Sequence, residues 1–487
     1  MFSSNIFETY SNEVKLQFED GVQEQRFKYL KGAVVWCGRG YLGTDKDFVH
    51  HFDGLPKLFG FYFDEGTVTF KTKFLHNSLY KKTLAQGYLP PVVSFQTKKT
   101  RDKFRWKPWH LLNYILPVIK NKTPTTGALE VQNIYGHYLV NYEGLHYAEE
   151  IDINTLETLQ ARRLFKSKVP WNISSSAAAY ISDPEETTYY NYLLEVHTWN
   201  LGQSATIYPA KIEPNLDVTY FDSVQLEQVG NIHNIVVTNN YLVIIESPER
   251  INVKKVIFNG SIFDSMEDLP SENNIFYIYD RYTMKLVRKI RSSFHFSFNH
   301  IINSFEEKNT IVIDLIEFST YYKRLLQPDN PKDRLEMCNI PVRYRIDTRD
   351  YTIEREQIWD GLCEMPYHES KLEKRGYANY FVDRPDRQKW GLCSIYEGRT
   401  WIPEDGWLVV SSPIVFSDII MIITADSTFE EFKFVLLEGA TFEVIAEALI
   451  PTAIGQVAHG NWFDFGSTAR PIAPFHSNAE ILVSKSK

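Results

Sequence analysis

Thirteen histidines occur in the 487 residues, an ordinary number. A lone histidine is usually a satisfied core or surface residue, but three are set differently. His233 stands in Ile232-His233-Asn234, just ahead of a hairpin signal. His300 stands in Asn299-His300-Ile301, ahead of Ile302-Asn303-Ser304-Phe305-Glu306-Glu307. His459 stands in Ala458-His459-Gly460-Asn461-Trp462. Neutral imidazole is the commonest side-chain ligand for a metal and can also move a proton near neutral pH. The three lie far apart along the chain, so only a closed fold could gather them. The sequence carries no P-loop, no HExxH, no GxSxG and no convincing GxGxxG. Nucleotide hydrolysis, zinc proteolysis and serine hydrolysis therefore lack their usual machinery.

The elements that must position these residues read as strands. Aromatics make up 15% of the chain, and aromatic and β-branched side chains favour a pleated surface. Thr67–Phe74 alternates, and predicted strands at 234–237 and 241–246 flank the turn signal Thr238-Asn239-Asn240. Further strands are predicted at Ile275–Tyr279, Thr310–Phe318, Leu408–Ser411, Ile419–Thr424, Phe432–Leu437 and Thr441–Leu449. Many short strands predict a sandwich, barrel or propeller. No strict repeat and no Gly-, Ser- or Pro-rich linker divides the chain, so a single all-β domain over residues 1–487 is expected. Radial closure would protect its sheet edges.

Composition narrows the partners. Apolar residues make up 44% and charged residues 23%, an ordinary soluble composition, and the net charge of −9 shows no basic excess for nucleic acid. Cys37, Cys338, Cys363 and Cys393 form no CxxC pair, which argues against a zinc ribbon or a disulfide scaffold and for reduced thiols in a cytoplasmic protein. The mixed, polar run Met1 to Val14 leads us to expect no signal peptide. The most apolar stretch, Trp407–Ala425, contains Pro413 and Asp418 and reads as two strands and a turn, not a membrane span. Residues 98–122 break the strand pattern. Basic ends enclose Trp106, Trp109, Leu111, Leu112, Tyr114, Ile115, Leu116, Val118 and Ile119, with Pro117 able to kink or end a helix. This segment reads either as a core helix packed on a sheet or as a membrane-interface element.

Taken together, the histidine contexts and their neighbours resemble the carotenoid cleavage oxygenase family over most of the chain. His51-Phe52-Asp53-Gly54 with Phe61–Val68 is similar to the family's HxFDG segment and following strand. Asn141-Tyr142-Glu143-Gly144 followed by 151–159 resembles its TLETLG blade. His300 falls in the FHHxNAYEE-like block, Glu364-Met365-Pro366 in the EFP-like block, and Glu397 where SEPxF falls. Glu404-Asp405-Gly406 resembles EDDG, and His459 the FHGxW terminus.

The resemblance implies a seven-bladed β-propeller with a helical and loop cap over one face. It implies Fe(II) held by His233, His300 and His459, since iron needs neutral nitrogen ligands and open positions to bind oxygen. Glu143, Glu364 and Glu397 are the implied acceptors for the other ring N–H groups, fixing tautomer and raising basicity. It implies an apolar conjugated substrate, O₂, and peripheral membrane contact through Trp106, Trp109, Leu111, Leu112, Ile115 and Leu116.

The chain departs from the family at one ligand. The family's first histidine should fall within 174–184, where Ala179 stands, and no histidine lies between His146 and His197. Either the site has decayed, or three histidines with their glutamate partners retain iron and leave an extra open position. The expected activity is oxygenation of an alkene in a carotenoid, apocarotenoid or stilbenoid-like molecule. The alternatives are an isomerase, cyclase or hydratase of a polyene or terpenoid, or a metal-poor binder of lipophiles.

Overall fold

The computed structural model describes residues 10–18, 27–41, 54–86, 128–142, 147–166, 168–169, 172–177, 179–185, 187–197, 204–230, 232–252, 254–255, 265–318, 339–367, 377–382, 389–452, 454 and 457–466. These form seven antiparallel sheets of four to six strands and one two-stranded ribbon. Among the described residues the longest helix is Ser78–Gln86, and no helix is long and apolar enough to cross a membrane.

Three of the sheets are simple meanders in which each strand pairs with the next. Ser297–Glu307, Thr310–Phe318, Asn339–Asp347 and Ile353–Gln357 form one. Leu362–Tyr367, Tyr377–Val382, Lys389–Ser394 and Arg399–Trp401 form the next. Two sheets join distant parts of the chain. Val457–Asp464 pairs with Gly32–Tyr41, and Gln17–Phe18 pairs with Val444–Leu449.

Burial explains why the strands read as they do. Central strands such as Thr310–Phe318 and Ile419–Asp426 are buried along almost their whole length, because neighbouring sheets cover both faces. Their sequences are accordingly apolar over most of their length, with buried Asp314 and Glu317 interrupting the first. Last strands such as Ile353–Gln357 and Leu286–Arg291 are mostly exposed and carry the charges. Tight turns have matching chemistry: Tyr135 and Gly136 both take positive φ, 52° and 84°, as a two-residue hairpin turn with the strand twist requires.

The stretch 407–425 is built as Trp407–Val409, Ile414–Phe416 and Ile419–Asp426, so it is sheet, as expected. The predicted hairpin at 234–246 forms as Val236–Val237 and Tyr241–Glu246. The segment 98–122 and the residues His51, Phe52 and Asp53 lie outside the described residues.

Candidate metal centre

Three different sheets deliver the three histidines. His300 lies on Ser297–Glu307 and His459 on Val457–Asp464. His233 lies in the segment that enters Val236–Val237. One ring nitrogen from each lies within 4.8 Å of those from the other two. Nε2 of His300 is 3.0 Å from Nε2 of His459. The His233 ring stands edge-on to His300, with centroids 5.0 Å apart.

Bulges aim these side chains. The pairing register of Ser297–Glu307 slips between Phe298 and Ile301, which places His300 in the irregular stretch. The register of Val457–Asp464 slips opposite Trp36 and Gly38, at His459. An extra residue in one strand bends it and re-aims a side chain, a device common beside functional sites. Gly460 makes the second bulge possible. A Cβ there would stand 2.5 Å from the Trp36 ring and 2.7 Å from the Val35 carbonyl oxygen.

Glu364 orients His300. Nδ1 of His300 donates to Oε2 of Glu364 at 2.6 Å. The carboxylate fixes the tautomer, so the Nε2 lone pair points at His459. Met365 follows in the left-handed region, φ 54°, and its amide donates to the same carboxylate. His459 is kept neutral, because burial pushes its pKa well below the ordinary value and His300 and His233 push the same way.

These residues fit a transition-metal ion. Two imidazole nitrogens ~2.1 Å from one ion and at right angles would stand about 3.0 Å apart, the separation between His300 and His459. Two lone pairs that close repel unless a proton or a cation lies between them. Neutral imidazoles suit iron among other divalent metals.

Not every expected residue arrives. The structure does not bring Glu397 to the histidines. It sits on the turn between Lys389–Ser394 and Arg399–Trp401 with its side chain 48% exposed, where Arg399 pairs with it and Ser394 Oγ donates at 3.2 Å. A turn position beside a guanidinium holds the carboxylate at the surface. Glu143 lies outside the described residues. Ala179 is partly buried and offers only a methyl group, its carbonyl accepting from Asn191 Nδ2 at 3.3 Å. His197 does not replace it, since its two ring nitrogens meet Ser204 Oγ and Thr206 Oγ1 at 2.8 and 3.0 Å.

One residue was missed. Glu130 follows the register slip between Ala128 and Glu130 in the strand Ala128–Ile134. Asn461 Nδ2 donates to its Oε1 at 2.9 Å and to the Val131 carbonyl at 2.8 Å. Burial pushes its carboxyl up to about 7, against the pull of Asn461 and of His233. The available signal was Asn461, two residues beyond His459.

Multiple antiparallel sheets with three imidazoles meeting between them define a β protein with a histidine centre. More particularly, the chain belongs to the carotenoid cleavage oxygenase family: the family described as retinal pigment epithelial membrane protein matches residues 28–464. The mitochondrial carotenoid-cleaving dioxygenase of Mustela putorius furo is 26% identical over 316 residues, 59% of this chain and 54% of that protein. The carotenoid isomerooxygenase of Galleria mellonella is 23% identical over 313 residues, 60% of this chain and 57% of that protein. The chain thus aligns with about half the length of these relatives. A mutant of the Synechocystis apocarotenoid oxygenase superposes with a TM-score of 0.75 at 16% identity, covering 95% of this chain and 99% of that one. The cobalt-substituted form of that enzyme superposes at 0.73 and 15% identity with the same coverage.

Proposed function

We propose that this chain is a non-haem Fe(II)-dependent oxygenase acting on an alkene of an apolar conjugated substrate, of carotenoid, apocarotenoid or stilbenoid type. His233, His300 and His459 would hold the metal, and the seven sheets would be blades of one propeller around it. The observation that carries the reading is the convergence of three rings from three sheets, with Glu364 orienting His300. Contacts between successive sheets support the ring arrangement. Val457–Asp464 meets Ala128–Ile134, Ile181–Ser182 meets Val236–Val237, Val236–Val237 meets Ser297–Glu307, Ser297–Glu307 meets Leu362–Tyr367, and Ile414–Phe416 returns to Val457–Asp464.

Bound iron would supply O₂ binding and activation. The chain's own residues do the rest. Glu364 holds the Nδ1 proton of His300 and keeps Nε2 free to donate. His459, partly buried and with its pKa pushed below the ordinary value, is favoured in the neutral form that a ligand needs. Residues 98–122 would form the apolar cap, with Trp106, Trp109, Leu111, Leu112, Ile115 and Leu116 docking on a membrane from which a water-insoluble substrate enters.

The experiment is oxygen uptake by iron-loaded protein with a panel of apocarotenoids and stilbenoids. Uptake that depends on substrate and is lost in His300→Ala is expected. Turnover without oxygen consumption would instead support isomerisation, cyclisation or hydration, a reading to which the alanine at position 179 adds weight.

A further inference from the structure

We propose that Glu130 is an outer anionic group of this metal centre, acting on the cation from beyond the three imidazoles on the side where Ala179 offers no ligand. The proposal rests on the metal reading above and goes beyond its three imidazoles. Glu130 and Gln132 share one face of the strand Ala128–Ile134, since side chains two apart in a strand point the same way. Gln132 reaches the Ala179 side: Tyr180 N donates to its Oε1 at 2.8 Å, and its Nε2 donates to the Tyr180 carbonyl at 3.0 Å. Glu130 reaches the His459 side through Asn461. The strand therefore lies between the strand bearing His459 and the segment without a ligand. The register slip just before Glu130 repeats the device that aims His300 and His459.

The chemistry agrees with the placement. Asn461 is a neutral partner, and burying a carboxylate is costly unless an opposite charge compensates it. A divalent cation among three imidazoles is such a charge. The carboxylate would act on the cation through a bound water, and its charge would strengthen metal binding.

The test separates charge from packing. Glu130→Gln keeps the shape and the acceptor for Asn461 but removes the charge, and Glu130→Asp keeps the charge. Metal-free wild-type and variant proteins are titrated with Co(II) under argon. The dissociation constant is read by competition with a chromogenic chelator, and the visible ligand-field bands are recorded, with a thermal melt on each protein. The expected result is binding weakened roughly 10–100-fold in Glu130→Gln, the range for outer partners of metal ligands. Its bands should shift, and Glu130→Asp should stay near wild type. Unchanged affinity and bands in Glu130→Gln, or equal losses in both variants, would overturn the proposal while leaving the three-histidine site standing. No uptake of Co(II) or Fe(II) by wild type would overturn both.

Discussion

Replacing Glu364 by Gln removes the negative charge behind His300 and little else. The carboxylate lies 2.6 Å from Nδ1 of His300 and is buried with it. A hydrogen bond to a charged group is worth about 1.5–3 kcal/mol net, and ~1.4 kcal/mol is tenfold in an equilibrium constant. If that stabilisation is realised only when His300 donates its Nε2 lone pair, metal affinity should fall between about tenfold and about 100-fold, the range seen for such partners. The assay is anaerobic Fe(II) or Co(II) titration of Glu364→Gln against wild type, with urea melts of both metal-free proteins. Weaker metal binding with near-native stability is expected. Unchanged affinity would show that Glu364 does not tune His300. A collapse of stability without metal would show that the pair is a folding contact.

Further consequences can be measured separately. Gly460→Ala forces a methyl group against Trp36 and Val35 and should cost roughly 1–3 kcal/mol in a urea melt, weakening metal binding through His459; wild-type stability would refute the close approach. Glu149 is buried, and that burial raises its carboxyl from 4.5 to about 7, Lys81 pulling it back. Between those values the folded chain holds a proton that the unfolded chain has released, so stability should fall as pH rises, by ~1.4 kcal/mol per pH unit. Glu149→Gln should flatten that part of the stability curve, and an unchanged slope in urea melts would contradict it. Trp109→Ser with Leu112→Ser should reduce co-flotation with liposomes while the melting temperature holds, whereas a large loss of stability would place residues 98–122 in the core.

The parts of the fold that were legible in the sequence are those fixed locally. Thr67–Phe74 and Thr310–Phe318 form strands with the predicted ends, because alternation and apolar runs are properties of a few adjacent residues. His233, His300 and His459 could be singled out by their contexts, and Glu364 by its block. Glu397 was not legible, because its direction depends on a turn and on Arg399. Glu130 was not legible from its own strand: a slip of one residue against the neighbouring strand decides where it points, and no local pattern in Ala128–Ile134 encodes that slip.

The most direct test of the account is anaerobic titration of metal-free protein with Fe(II), beside His300→Ala. The account predicts about one bound iron per chain in wild type and none retained by the variant. Iron well below one equivalent in wild type, with no recovery on anaerobic reconstitution, would contradict it. The histidine cluster would then be a decayed site or part of a cavity that works without metal.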